Sequence, residues 1–210
     1  MHIEIEAKMP LRDPEALRAR LAAAGAQACP PLLENNTFFD TQEGGLKIAD
    51  HGLRLRVERE AEGGRERVTL THKGPRAHGK LKSRSETEVE VADARDAAGL
   101  LSALGYQAVF CFEKRRLGWH LDGCHVAVDE LPYLGFYVEI EGKSDEAVLR
   151  VRERLGLGAV ALIHASYISM LATHMAQHHI AGHRACFEAQ PAAAATGDSR
   201  KPRVESLHPG

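Results

Sequence analysis

The chain has 210 residues, 44% of them hydrophobic, which is enough to bury one core and favours a single domain with a tail. Its 27 Lys and Arg against 29 Asp and Glu give a formal charge of −2, excluding the broad basic field of a non-specific nucleic-acid binder. Cys29, Cys111, Cys124 and Cys186 are scattered and form no CxxC pair, which argues against a zinc ribbon or a disulfide framework.

In chain order, Met1-His2-Ile3-Glu4 is acidic where a secretory leader is basic and then apolar. No later stretch reaches the roughly 20 apolar residues of a membrane span. The expectation is a cytoplasmic protein with inert thiols and neither a membrane nor a nucleic-acid partner. Alternation with period two predicts strands over 2–9, 33–40, 52–60, 65–73, 83–91, 108–117, 123–130 and 136–142, with Gly63-Gly64 as one of the turns. Helical spacing predicts helices over 14–24, with Asp13 as cap and Pro14 in the first turn, over 94–104, and over 145–155 behind Ser144. A fourth helix is expected over 164–180, with Ile163, Tyr167, Met170 and Leu171 on one stripe. Residues 1–180 then form one folded domain. From 184 to 210 the chain turns to Ala, Pro, Gly and Ser, and a disordered tail without catalytic role is expected there. The fold class is α+β: a largely antiparallel sheet that closes into an eight-stranded barrel, with helices packed outside.

Alternate residues of a strand share a face, so Glu4, Glu6 and Lys8 project together. The same rule groups Arg54, Arg56 and Glu58; Arg84, Glu86, Glu88 and Glu90; Lys114 and Arg116; and Glu139 and Glu141. Ile3, Ile5, Leu53, Leu55, Val57, Val89, Val91, Val138 and Ile140 fill the opposite faces. One reading is an ordinary sheet with its charges in water. The other is an enclosed charged face, since the helices can cover the apolar side. Enclosed charges must pair, or must hold an ion and a polyanion. Carboxylates suit a hard cation and Arg suits phosphate oxygens.

The run Glu4-Ile5-Glu6-Ala7-Lys8 is an ExExK pattern, and it resembles the signature of the CYTH superfamily, the triphosphate tunnel metalloenzymes. Further stretches resemble the class IV adenylate cyclase branch: ENNTFFDT (34–41), GLRLR (52–56), HKGP (72–75), SRSE (83–86), LGY and FEKRR (104–116), HVAVDE (125–130), LGFYVEIEG (134–142) and SYISML (166–171). The resemblance spans roughly residues 1–172 and implies an eight-stranded tunnel. It implies that Glu4, Glu6, Glu139 and Glu141 bind Mg²⁺ or Mn²⁺, with Asp129 assisting. It gives Lys8, Arg54, Arg56, Lys73, Arg84, Lys114 and Arg116 as the triphosphate cradle, and Glu86 as a supporting group. Glu4, Glu6, Lys8, Lys114 and Asp129 are the catalytic set it implies.

The implied activity is conversion of ATP to cyclic AMP and pyrophosphate. The alternative is hydrolysis of inorganic triphosphate, thiamine triphosphate or a nucleoside triphosphate, which retention of both Glu139 and Glu141 resembles. A non-catalytic polyphosphate or nucleotide binder is the third reading. Homodimers are frequent in the branch, so the resemblance implies one here. His164, His174, His178, His179 and His183 read as a solvated helix end, His72 as packing or surface, and Trp119 and Tyr137 as core or rim. Arg115 alternates to the outer face, and no GxxxxGK[ST] phosphate loop is present.

Overall fold

The computed structural model of the protein describes residues 2–61, 63–77, 79 and 81–187, with the side chains of His2 and Glu4 outside the description. Most of the expected tail, from 188 onward, also lies outside the described residues. The strands are β1 (His2–Pro10), β2 (Gln27–Ala28), β3 (Leu32–Asp40), β4 (Gly52–Glu60), β5 (Glu66–Ala77), β6 (Lys82–Glu90), β7 (Gln107–Leu121), β8 (Cys124–Leu131), β9 (Gly135–Gly142) and β10 (Arg184–Ala185). The helices are α1 (Pro14–Ala23), α2 (Gly45–Ile48), α3 (Ala94–Ala103), α4 (Asp145–Arg154) and α5 (Tyr167–Gln177). All the strands and helices expected from periodicity are present. The short elements α2, β2 and β10 were not expected, because two to four residues are too few to show a period.

Among the described residues, eight strands close an antiparallel barrel in the order β7-β3-β4-β5-β6-β1-β9-β8, with β8 returning to β7. Closure depends on β7, whose 15 residues pair with β3 over Gln107–Arg116 and with β8 over Arg115–Leu121. The β7–β8 connection is Asp122-Gly123 with φ of 49° and 78°, the primed two-residue turn whose twist matches the flanking strands. Strand β10 lies parallel to β7 at Cys111–Phe112 and occupies the edge that β8 leaves open. This moves the start of the tail, expected at 184: Ala185 is fully buried and the Phe187 N–H donates to Glu113 at 2.9 Å.

Helix starts follow the capping residues. Asp13, Asp93, Ser144 and Ser166 each accept a backbone N–H of the first turn, and Pro14 needs no such bond. Outside the barrel, Met9, Val126, Val138 and Ile140 meet Leu17 and Leu21 of α1 and Val148 and Val151 of α4. Leu55 and Val68 meet Leu101 of α3. At one end Phe110, Phe112, Leu131 and Tyr137, which alternation turns to the inner face, pack with Tyr167, Leu171 and Met175 of α5. These three recur every fourth residue, so α5 lays one stripe across that side of the mouth.

Leu171 is fully buried in this cluster, so Leu171→Ala is expected to destabilise the fold by about 2–5 kcal/mol. Leu100→Ala, at a side chain 62% exposed, should stay within about 0.5 kcal/mol. Urea denaturation of both variants checks the contrast.

Candidate active site

The interior is built by register. Across β1 and β9, Glu6 stands opposite Glu141 and Lys8 opposite Glu139. Across β1 and β6, Glu6 is opposite Lys82 and Glu4 opposite Arg84. Glu34 faces Glu58 on β4 and Lys114 on β7, and Arg116 faces Asp129 on β8. All these positions have the parity of the inner face, and Lys8, Glu34, Lys114 and Asp129 are almost wholly buried.

One network joins most of them. Arg116 makes a two-pronged contact with Asp129, Nε to Oδ1 and Nη2 to Oδ2 both at 2.7 Å, and donates from Nη2 to Glu139 at 2.6 Å. Lys114 bridges Glu34 at 3.2 Å and Asp129 at 3.3 Å. Arg56 lies 3.3 Å from Glu34 and donates to Asn36 at 2.9 Å. Lys8 lies 3.3 Å from Glu139 and 3.6 Å from Glu6, and Glu6 also accepts from Lys82 at 2.6 Å. The Tyr167 hydroxyl reaches in from α5 and donates to Asp129 at 3.0 Å, while the Lys8 ammonium sits 4.1 Å above the Tyr167 ring.

Toward β5 and β6 a second set continues the lining. Arg54 donates to Thr71 at 3.2 Å and lies 3.8 Å from Glu88, and Lys73 pairs with Glu86. Arg84 is engaged at the rim, where it donates to the carbonyls of Gly74 and Asp50, at 2.8 and 2.9 Å. A cavity of about 360 Å³ opens beside Lys82, with Asp50, Arg76, Leu81 and His164 in its wall.

The charges hold one another's protonation states. Burial works against the Glu34 carboxylate, yet Arg56, Lys114 and Arg116 keep its pKa far below the ordinary value. Glu139 is likewise held well below the carboxylate range against burial, by Lys8 and Arg116 first. Burial also opposes the Lys8 ammonium, but Glu139 and Glu6 outweigh it and raise its pKa. Lys114 goes the other way: burial and Arg116 lower it despite Asp129 and Glu34. Burial, with Asp129 and Glu139, pushes the Tyr167 hydroxyl well above its usual value. His125, across from Glu141 on β8, is brought down to about 4 by burial, Arg116 and His120.

Of the residues singled out from sequence, Glu6, Lys8, Arg56, Lys114, Arg116, Asp129 and Glu139 converge in one network. Arg54, Lys73 and Glu86 line the adjoining wall. Glu141 enters by register, and only the backbone of Glu4 is placed. Arg115 points outward to Glu130 at 3.1 Å, and His72 meets His51 on the outside at 2.9 Å. Trp119 packs in the outer core and Tyr137 in the cluster under α5. His174 stacks on His178 and Tyr133. The four cysteines are free thiols. Sequence reasoning missed Glu34, Asn36 and Lys82, and took Tyr167 only as a helix-stripe residue. Alternation with Asn36 would have turned Glu34 inward, and its register with Lys114 marks it as the counter-charge.

Among the described residues, no three His, Cys, Asp or Glu side chains are already gathered as a metal cage. The donor set nevertheless fits a hard divalent cation: Glu6 and Glu141 offer carboxylate oxygens from directly opposed positions, with Glu139 one pleat away. Like charges placed opposite in this way repel unless a cation lies between them.

A closed antiparallel barrel whose inner face carries paired acidic and basic rows defines the tunnel class of fold, and comparison places the chain within it. The chain belongs to the CYTH domain family, which it matches over residues 2–167. It is 31% identical to the adenylate cyclase CyaB of Aeromonas hydrophila, over 78% of this chain and 86% of that one. A Pyrococcus horikoshii OT3 protein superimposes with a TM-score of 0.71 at 26% identity, over 81% of this chain and 99% of that one. A Hippeastrum protein described as an adenylyl cyclase candidate with a dominant triphosphatase activity shares the fold, with a TM-score of 0.62 at 20% identity, over 83% and 96% of the two chains. No helix among the described residues is long and apolar enough to cross a membrane.

Asp129→Asn leaves Arg116 and Lys114 buried beside a neutral amide, so a loss of about 3–5 kcal/mol is expected in urea denaturation. Glu34 and Glu139 have folded pKa values below the unfolded value of 4.5, so their stabilisation is complete above that pH and is lost as pH falls below it. Unfolding free energy measured from pH 7 to 3 should therefore fall on the acid side, and less steeply in Glu139→Gln.

Proposed function

We propose that the protein is a divalent-cation-dependent enzyme that binds a triphosphate inside the barrel and, as a class IV type adenylate cyclase, converts ATP to cyclic AMP and pyrophosphate. The observation that carries the reading is the opposed pair Glu6 and Glu141, beside Glu139 and across from Arg56, Lys114 and Arg116. Glu6 is already met by Lys82 and Lys8, so a divalent cation between the facing carboxylates would take the place of these ammonium groups. The cyclase assignment is supported by likeness to the Aeromonas cyclase and by the many short stretches that resemble that branch.

Glu6, Glu139 and Glu141, with Glu4 by resemblance, would hold Mg²⁺ or Mn²⁺. Bound there, the ion supplies a Lewis acid for phosphate oxygens. The chain's own residues account for the rest. Arg54, Arg56, Lys73, Lys114 and Arg116 exchange their carboxylate partners for phosphate oxygens and fix the polyphosphate along the tunnel. The same cations take up the charge that develops on pyrophosphate as the ribose 3′-oxygen displaces it from the α-phosphorus. Burial and Arg116 disfavour the protonated form of Lys114, which suits it to exchange a proton during the attack. Tyr167 keeps its proton and holds Asp129 in place beneath Lys114 and Arg116.

Hydrolysis is the second reading, and retention of both Glu139 and Glu141 favours it. The cradle is then the same, and a water takes the place of the 3′-hydroxyl. Incubation with ATP, inorganic triphosphate and thiamine triphosphate, each with Mg²⁺ or Mn²⁺, separates the two readings. Cyclic AMP with pyrophosphate is the expected product pair, and orthophosphate without a cyclic product would transfer the protein to the second reading. Glu6→Gln should abolish turnover of every substrate, and Arg56→Ala should reduce kcat/KM by at least about tenfold, a loss of roughly 1.4 kcal/mol of transition-state binding. Full activity in Glu6→Gln would remove the site assignment.

A further inference from the structure

Two thiols on the outer wall of the barrel lie close to one another. Cys111 on β7 and Arg184 on β10 are direct partners in the parallel pair, so their side chains share the outward face. Cys186, two residues past Arg184, has the same parity and stands one diagonal step from Cys111. Both are half-buried free thiols. Burial raises the pKa of Cys111, Thr37 and Arg184 lower it, and Cys186 raises it again, so Arg184 and Cys186 both lie within electrostatic reach of that sulfur.

The two sulfurs are set up differently. Cys186 Sγ accepts a hydrogen bond from Arg184 Nε at 3.1 Å. A cation that donates to sulfur supports the thiolate, the form that attacks a peroxide. Cys111 Sγ instead donates to Asn35 Oδ1 at 3.3 Å, the contact of a protonated thiol. One is arranged as an attacking group and the other as a resolving thiol. Diagonal cross-strand neighbours stand about 7–8 Å apart, against the roughly 4.4–6.8 Å between Cα atoms that a disulfide spans. Closing the bond therefore asks for a shift of about 1 Å. Cys186 stands just past the last residue of β10, where strand pairing no longer fixes it.

The tie would fasten a functional element. Ala185, next to Cys186, is fully buried in the cluster of Phe110, Phe112, Leu171 and Met175. Strand β10 ends the return from α5, the helix that lies across one side of the mouth.

We propose that Cys111 and Cys186 form a peroxide-responsive disulfide latch that fastens the return from α5 to β7. The Cys186 thiolate attacks hydrogen peroxide, the O–O bond breaks, and a sulfenic acid forms with release of hydroxide. The Cys111 sulfur then attacks the sulfenic sulfur, the S–S bond forms, the S–O bond breaks, and the Cys111 proton leaves with that oxygen as water. In all, two thiols lose two electrons and two protons, and one peroxide becomes two waters. A dithiol reverses the bond by exchange. The latch rests on the outer wall and not on the catalytic reading.

The test treats the reduced full chain with hydrogen peroxide, blocks the remaining thiols and maps the unreduced digest by mass spectrometry. One intramolecular cross-link between Cys111 and Cys186 is expected. In Cys111→Ser, dimedone should label Cys186 in preference to Cys29 and Cys124. Arg184→Gln, at an exposed side chain, should slow cross-linking at least about tenfold and leave the thermal midpoint of the reduced protein within about 2 °C. Oxidation should raise the midpoint by at least about 3 °C and slow hydrogen exchange in α5, and Cys186→Ser should show neither change. Absence of the cross-link overturns the proposal, as does a bond between other cysteines or between two copies. Cross-linking of Arg184→Gln at the original rate overturns it equally.

Discussion

A charged strand face enclosed by a closed barrel has to be neutralised from within, and the rest of this structure follows from that requirement. Glu34 and Asp129 have no access to water, and each would be costly to ionise alone. Arg56, Lys114 and Arg116 are brought against them by the registers of β3, β4, β7 and β8, and for Glu34 these cations hold the carboxylate ionised against burial. Satisfaction is incomplete at Glu34, whose Oε1 is buried and accepts no hydrogen bond, its nearest cation being Arg116 at 3.5 Å. Replacing such a network with apolar side chains would generally serve stability as well or better. Its presence in the interior is therefore better explained by binding than by folding.

The barrel was legible in the sequence because period two is a strong signal over eight or nine residues. Alternation also separated the faces correctly, placing Arg115 outside and Lys114 and Arg116 within. What alternation cannot supply is register. Glu34 is an ordinary strand residue until β7 sets Lys114 beside it, and Lys82 gains meaning only when β6 places it across from Glu6. Tyr167 was hidden for a different reason. Its helical spacing marks it as core, which it is, and nothing in one dimension shows that its hydroxyl passes through that core to Asp129. Strand β10 escaped because two residues carry no period, and the buried Ala185 is as small as the alanines that follow it in the tail.

The two ends of the barrel are unequal, and α5 is the cause. Phe110, Phe112, Leu131 and Tyr137 continue the inward parity of the charged positions but are apolar, so the tunnel lining changes character along its length. The helix that covers them is itself tied to the charged part through Tyr167, and the segment before it through Ala165, whose carbonyl accepts from Lys8 at 3.2 Å. A side chain at the acidic row thus anchors the element that stops one side of the mouth. Packing there and electrostatics in the site cannot vary independently.

The same pairing bears on how ligands would enter a tunnel of the proposed kind. A polyanion arriving alone takes Arg and Lys away from Glu34, Asp129 and Glu139 and leaves buried carboxylates without partners. A divalent cation arriving alone at Glu6 and Glu139 displaces Lys8 and Lys82 and leaves ammonium groups in the same position. When both arrive, every displaced charge finds a new partner, so each ligand lowers the cost of the other, and the coupling is reciprocal by necessity. Nothing in that exchange specifies whether a ribose hydroxyl or a water then attacks phosphorus. This is the physical reason one cradle can serve both cyclisation and hydrolysis, with the choice made by what stands next to the polyphosphate and not by the groups that hold it.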